Sequence, residues 1–181
     1  MMVNSRDIIE FWFHETTPKQ WFEKDAAFDQ VIKDRFFMTH QAAAQGELYR
    51  WRSSAEGCLA EIIILDQFSR NMFRDQALAF AYDNVALVLA QRAVELTLDQ
   101  ALPVEQQGFI YMPYMHSESR LIHEQAVPLF SQPGLEEKLH FEYRHKEIID
   151  RYGRYPHRNA ALGRASTTEE LDFLESPGSS F

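Results

Sequence analysis

Residues 55–73, AEGCLAEIIILDQFSRNMF, contain the apolar stretch from which we assign the fold. At 3.6 residues per turn their apolar side chains fall on nearly every side of a helix, and a helix that is apolar all round is normally buried. We therefore predict a central helix here, with the other elements packed around it. Its apolar residues are Leu59, Ile62, Ile63, Ile64, Leu65, Phe68, Met72 and Phe73.

The rest of the chain also follows a helical period, and no stretch alternates as a strand would. Further helices are predicted at 6–13, 25–45, 84–96, 103–112, 117–130, 133–152 and 168–174. The predicted caps and first-turn residues are Ser5, Asp83, Pro103, Ser117, Pro133 and the pair Ser166 and Glu169; the predicted breaks are residues 16–18, Gly46 and Pro113. We expect an all-α fold of seven to eight helices, stacked as antiparallel hairpins in one domain over residues 1–181.

Composition excludes several classes of protein. The 181 residues have 18 Lys and Arg against 27 Asp and Glu, a net charge of −9, which argues against binding to nucleic acid or an anionic membrane. The one cysteine, Cys58, excludes a disulfide framework. No apolar run is as long as a membrane span, so we predict a cytoplasmic protein. No cofactor is predicted. The oligomeric state is left open.

Two polar residues fall on the apolar side of the central helix. Asp66 lies on the line of Leu59 and Ile62, and Arg70 follows one turn later, so both should face the interior. Burying such a pair is costly unless further hydrogen bonds complete it. The pair is interpreted either as a structural ion pair or as part of a functional site.

Histidine side chains suggest proton transfer at two places. His145 shares an inward stripe with Ile148 and Ile149, where it is either a structural histidine bonded to a carbonyl or a proton carrier. His116 and Glu118 follow a proline-bent turn and are the better candidates for chemistry. A zinc-type site is a minor alternative, since no metal-ligand spacing is present; no metal is predicted.

Residues 151–164, RYGRYPHRNAALGR, concentrate positive charge in an acidic chain. They include four arginines and no acid. Gly153 and Pro156 indicate a rigid turn, which would aim Arg154 and Arg158 at particular targets. Those targets are either a bound anion or the protein's own acids, including the acidic segment that follows.

The stretches QWFEKDAAFD, LDQFSRNMFR, YMPYMHSE, RYGRYPHRNAALGR and the terminal PGSSF resemble the bacterial family known as domain of unknown function 924. The resemblance implies an all-helical fold of the tetratricopeptide-like (TPR-like) type, and no reaction. One departure is His123, where the family pattern implies glutamine. The motif positions that we take as candidate site residues are Asp66, Arg70, Asn71, Arg74, His116, Glu118, His145, Arg154, His157 and Arg158.

Three functions follow from these residues. The first is binding, with or without turnover, of a small anionic ligand such as a phosphorylated or carboxylated metabolite. Arg70, Asn71, Arg74, Arg154, His157, Arg158 and Asp66 would bind it, and His116, Glu118 and His145 would carry out the chemistry. The second is a TPR-like scaffold for an acidic peptide, and the third a purely structural role of the arginines.

Overall fold

A computed structural model of the protein describes residues 2–179, and every regular element in that range is helical. The fold is therefore all-α, as predicted. The α-helices are α1 (Ser5–Glu10), α2 (Pro18–Phe22), α3 (Ala26–Ala44), α4 (Ala55–Ile63), α5 (Ser69–Met72), α6 (Asp83–Glu95), α7 (Val104–Met115), α8 (Arg120–Phe130), α9 (Glu136–Tyr152) and α10 (Thr168–Leu174). Packing as TPR-like hairpins stays a prediction.

The predicted central helix consists of three parts. A π-helical turn, Ile64–Phe68, joins α4 to α5. We call these three parts together the central rod; it is not a regular α-helix over its whole length. Residues 57–69 are all buried. Helices α1, α6 and α7 pack against α4, while α3 packs against α5 and the π-helical turn. The rod is central, as its apolar sequence indicates.

The helices after α5 pack in chain order, α6 on α7, α7 on α8 and α8 on α9. The main core includes the fully buried rings of Trp12, Phe36, Phe68 and Phe109. A smaller cluster under the C-terminal segment comprises Ile148, Ile149 and Tyr155. The buried apolar residues of α9 and of the segment that follows it thus form a small cluster apart from the main core.

Several predicted boundaries were wrong, for local reasons. Asn4, not Ser5, caps α1, because its side chain accepts the N–H of Asp7 in a capping box. Pro113 does not end α7, which continues to Met115, since a proline near a helix end loses only one hydrogen bond.

Other caps differ by one to three residues. Asp83 is the first residue of α6 rather than its cap, because its carboxylate binds arginines instead of backbone N–H groups. Ser119 rather than Ser117 precedes α8, and α9 begins at Glu136 rather than Pro133 because Gly134 takes the left-handed conformation (φ 92°). The capping box of α10 is formed one residue later, by Thr167 and Glu170.

Near the two ends of the chain, one helix was missed and one motif is described only in part. Helix α2 was not predicted; it begins at Pro18, inside the predicted break at 16–18, and Thr17 and Gln20 form its capping box. The last two residues of the terminal PGSSF stretch lie outside the described residues. Within residues 2–179, no helix is both long and apolar enough to cross a bilayer.

Candidate functional site

The site is organised around Asp66, which lies in the π-helical turn with 1% of its side chain exposed. Its Oδ1 accepts a hydrogen bond from Nδ1 of His116 at 2.7 Å, and its Oδ2 accepts one from the Gln67 amide at 2.6 Å. Arg70 Nη1 lies 3.3 Å from Oδ1 and donates to the Asp66 carbonyl at 2.8 Å. Asp66 therefore has the inward position and the arginine partner that the sequence predicts.

Asp83, at the start of α6, joins two of the predicted arginines. Arg70 donates to both of its carboxylate oxygens at 2.9 Å. Arg158 donates to Asp83 Oδ2 at 3.1 Å and to the His116 carbonyl at 3.0 Å. These contacts bring the central rod, the end of α7 and the segment 151–164 to one place.

Two aromatic rings contact the Arg158 guanidinium. Its central carbon lies 4.6 Å from the ring centre of Phe80 and 4.5 Å from that of Tyr155. Arg158 is only 6% exposed, and the attraction between a cation and an aromatic ring is strongest where water is excluded. Its position is therefore fixed by packing as well as by charge.

The charges of this cluster balance. Asp66 and Asp83 supply two negative charges, and Arg70 and Arg158 supply two positive charges in direct ion pairs. Burial opposes ionisation of Asp66, but His116 and Arg70 outweigh it and hold the pKa of its carboxyl well below the usual range. The cluster thus carries no surplus positive charge while His116 is neutral.

His116 combines burial with one accessible ring nitrogen. Its Nδ1 faces the ionised Asp66, which can only accept, so Nδ1 carries the proton. Nε2 makes no hydrogen bond to any of residues 2–179, and 11% of the side chain is exposed. Burial, and then the charge of Arg70, lower the pKa of His116, so that the ring is neutral near pH 7. Nε2 is therefore a proton acceptor held in place by Asp66.

Glu118, predicted as a catalytic residue, accepts hydrogen bonds from the 151–164 segment instead. Arg164 binds it through two hydrogen bonds, of 2.7 and 2.9 Å, and the Tyr155 N–H donates to Oε1 at 2.7 Å. Burial disfavours its charged form, but the hydrogen bonds from Arg164 and Tyr155 lower its pKa. Glu118 is an ionised anchor of the 151–164 segment.

The other two histidines among the predicted site residues, His145 and His157, lie near Tyr155. His145 donates from Nδ1 to the Phe141 carbonyl at 2.8 Å, and its ring centre lies 6.4 Å from that of His116. His157 lies 5.6 Å from the Tyr155 ring. Burial lowers the pKa of His145 well below its ordinary value and, with help from Arg158, lowers that of His157 to about 3. Both are neutral at pH 7.

Three predicted ligand-binding residues lie outside this cluster. Arg154 binds Glu170 of α10 through two hydrogen bonds, of 2.6 and 2.7 Å. Asn71 and Arg74 both bind Asp29 on α3, at 2.6–2.8 Å. The structure therefore brings together Asp66, Arg70, His116, His145, His157 and Arg158, but not Arg154, Asn71 or Arg74.

Sequence reasoning missed two residues of the cluster. Asp83 was interpreted as a helix cap, and nothing in its neighbourhood of the sequence points to arginines 13 and 75 positions away. Tyr155 is not among the predicted site residues, yet it is fully buried and donates to the Met115 carbonyl at 2.5 Å. The fixed turn that follows Gly153 was the only local signal for it.

Comparisons with known proteins agree with this all-helical fold. The model of a family described as bacterial protein of unknown function (DUF924) matches residues 8–178. Among solved structures, the chain is similar to a protein of unknown function from Agrobacterium tumefaciens, with 42% sequence identity and a TM-score of 0.89. That alignment covers 94% of this chain and 96% of the other. No curated protein matches the sequence.

Proposed function

This chain belongs to the DUF924 family of bacterial proteins of unknown function, and we propose that it binds a small carboxylate or phosphate compound at His116 and takes up one proton on binding. The observation that carries this proposal is the 2.7 Å hydrogen bond between Asp66 Oδ1 and His116 Nδ1, combined with an accessible Nε2 that has no partner among residues 2–179.

The charge balance explains why a proton must be taken up. An anion brought to a neutral His116 would face the lone pair of Nε2 and would leave a buried cluster with a net negative charge. Protonation of Nε2 turns that nitrogen into a donor and supplies the missing positive charge. The carboxylate of Asp66 stabilises the resulting imidazolium, as carboxylates behind histidines do in enzymes.

The same geometry would permit turnover of the ligand. An imidazole that accepts a proton at Nε2 and is oriented by a carboxylate at Nδ1 is the arrangement used for general acid and base catalysis. In this proposal Arg70 and Arg158 position His116, whereas the pKa values of His145 and His157 keep both rings neutral and add no repulsion.

The alternative function, a TPR-like scaffold for an acidic peptide in the cytoplasm, receives less support. Such a peptide would require cationic side chains that are open to a partner. Arg151 and Arg154 are the arginines of this segment nearest the surface, and they already bind Glu169 and Glu170. We therefore favour the small ligand.

Isothermal titration calorimetry tests the proposal directly. A panel of small carboxylates and inorganic phosphate is titrated into the protein in two buffers of different ionisation enthalpy at the same pH. We expect at least one member to bind, with a difference between the buffers that corresponds to one proton taken up, and with weaker binding as pH rises. Absence of binding by any member of the panel between about pH 5 and 8, where histidines titrate, would refute the proposal.

The matched variants are His116→Gln and His14→Gln. His14 is exposed, so its replacement controls for a general effect of losing one histidine. We expect His116→Gln to abolish both the binding and the proton uptake, and His14→Gln to retain both. Binding that persists in His116→Gln would place the ligand elsewhere and contradict the assignment.

A further inference from the structure

A second buried polar cluster lies apart from His116, where the loop before α7 meets the residues after α8. We call it the Asp99 cluster; it consists of Asp99, Gln107, Tyr111 and Gln132. Asp99 is 3% exposed, Gln107 7% and Tyr111 0%. Asp99 Oδ2 accepts hydrogen bonds from the Tyr111 hydroxyl at 2.6 Å and the Gln100 amide at 2.8 Å. Both of these donors are neutral groups.

One acceptor in the Asp99 cluster has no donor, and a second has only a long contact to one. Asp99 Oδ1 is buried and has no hydrogen-bond partner among the described residues. Gln107 Oε1 faces only the Tyr111 hydroxyl, at 3.4 Å, and the hydrogen of that hydroxyl is already directed to Asp99. A buried acceptor without a donor is destabilising. A group that satisfies both oxygens would remove that penalty.

Asp99 also lacks a counter-ion, which distinguishes it from the other buried acids. Within residues 2–179 no Lys, Arg or His forms an ion pair with Asp99, although an ion pair is the usual condition for burying a carboxylate. The other buried acids face Arg or His: Glu61 with Arg52, Asp66 with Arg70 and His116, Glu142 with His123, and Glu170 with Arg154. Among residues 2–179, Asp99 is the one buried acid that has no Lys, Arg or His within ion-pair distance.

Two tyrosines near Asp99, Tyr111 and Tyr114, have raised pKa values. Burial, followed by the hydrogen bond to Asp99, raises the pKa of Tyr111, and burial followed by the charge of Asp99 raises that of Tyr114 to about 12. Neither hydroxyl ionises near neutral pH. The groups that donate to Asp99, Tyr111 and Gln100, are therefore uncharged.

We propose that the Asp99 cluster binds a monovalent metal cation of the sodium and potassium type, with Asp99 Oδ1 as the charged ligand and Gln107 Oε1 as a neutral one. One carboxylate balances one positive charge. Sites for divalent cations such as calcium gather several carboxylates, and no group of three or more His, Cys, Asp or Glu suited to a metal exists among residues 2–179. Hard oxygen ligands without nitrogen or sulfur also argue against zinc or copper.

A buried water is the simplest competing occupant. It would donate to Asp99 Oδ1 and satisfy one acceptor, but it would leave the negative charge uncompensated in a region of low dielectric. A cation satisfies the oxygens and neutralises the charge together. The experiment must therefore distinguish a cation from an ordered water.

Thermal unfolding in different chloride salts at one ionic strength provides the first test. We compare potassium and sodium chloride with choline chloride, because choline is an organic cation much larger than either metal ion. A bound cation stabilises the folded state by mass action, so each tenfold excess over its Kd should raise Tm by about 3–6 °C. An equal Tm in all three salts would overturn the proposal.

Variants locate the effect. Asp99→Asn should lose the difference between potassium and choline, whereas Asp172→Asn, which removes an exposed acid, should keep it. Neither change touches His116, so ligand titration at that residue remains an independent measurement. A salt effect that persists in Asp99→Asn would place the cation at another position.

Crystals of the unmodified chain give a test that does not depend on a variant folding. Soaking in rubidium chloride should give an anomalous peak beside Asp99 Oδ1. An ordered water without anomalous signal at that position would refute the cation site.

Discussion

Arg164 binds Glu118 through both of its terminal nitrogens, at 2.7 and 2.9 Å, and in this way ties the turn before α8 to the segment after α9. The same guanidinium donates to the Tyr155 carbonyl at 3.1 Å and to the Asn159 side chain at 3.0 Å. Arginine can satisfy several acceptors in this way because its planar donors are fixed in a fork. The concentration of arginines at 151–164 is thus used to assemble the fold around the site.

Replacement of Arg70 tests the central ion pairs. Arg70→Ala leaves Asp66 and Asp83 with fewer cationic partners, and removal of one member of a buried pair costs about 3–5 kcal/mol of unfolding free energy. Denaturant titration measures this loss. The control is Arg92→Ala, in which an exposed pair with Glu95 is removed and about 0–1 kcal/mol is expected. Equal effects of the two variants would contradict the structural role of Arg70.

Helix α10 allows a comparison of two arginines with unequal partners. Arg154 binds Glu170, which has 3% of its side chain exposed, whereas Arg151 binds Glu169, which has 63% exposed. We expect Arg154→Ala to speed hydrogen exchange of the α10 amides, because a buried carboxylate then lacks its cation. Arg151→Ala should change that exchange little. Mass spectrometry of the peptides over 165–179 provides the measurement, and faster exchange in Arg151→Ala alone would contradict it.

His40 should make stability depend on pH. Burial lowers its pKa from 6.5 to about 4, so the unfolded chain binds a proton in this interval that the folded chain does not. The contribution of His40 is fully present above about pH 6.5 and falls by up to about 1.4 kcal/mol per pH unit toward pH 4. In His40→Gln, which keeps a donor and an acceptor for Ser69, the slope between about pH 6.5 and 5 should decrease by about one proton.

The matched control for that pH series is His14→Gln, since His14 is exposed. Its slope should equal that of the unmodified chain. A slope that is unaltered in His40→Gln would mean that His40 is protonated in the folded state.

Two glycines inside helices should respond differently to alanine. A Cβ at Gly57 would lie 2.1 Å from the backbone oxygen of Trp51, whereas at Gly108 it would lie 2.7 Å from the far end of the Lys138 side chain, which can move. We expect Gly57→Ala to lose about 1–3 kcal/mol through overpacking. Gly108→Ala should be close to neutral, because the higher helix propensity of alanine offsets the shift of Lys138. Thermal unfolding of both variants measures the difference, and a raised Tm for Gly57→Ala would contradict the clash.

Most helices could be predicted from the sequence because the apolar residues that recur at helical spacing are the residues that the fold buries. The apolar residues of the run at 55–73 lie on nearly every side of a helix, which predicts its central place directly. Caps were less predictable. Asn4 and Ser5, or Ser166 and Thr167, are adjacent residues with similar capping ability, and the choice between them depends on backbone conformation that no local pattern encodes.

The candidate site was predictable in part. Helical spacing predicts that Asp66, Arg70 and His145 face the interior. Asp66 and His145 are buried there, and Arg70 is partly buried. Partners across long sequence separations were not predictable. Arg158 meets Asp83 across 75 positions and Arg74 meets Asp29 across 45, and only the packed helices determine which acid each arginine reaches.

The π-helical turn at Ile64–Phe68 changes the direction in which the rest of the rod faces. A turn of this kind contains about one residue more than a regular turn, and one residue corresponds to a rotation of about 100°. A regular α-helix over the same residues would therefore rotate Arg70, Asn71 and Arg74 away from Asp83 and Asp29, whereas deletion of one residue between 64 and 68 would remove the extra residue and keep their direction. The extra residue in this turn therefore determines the side of the helix from which Arg70 and Arg74 reach Asp83 and Asp29.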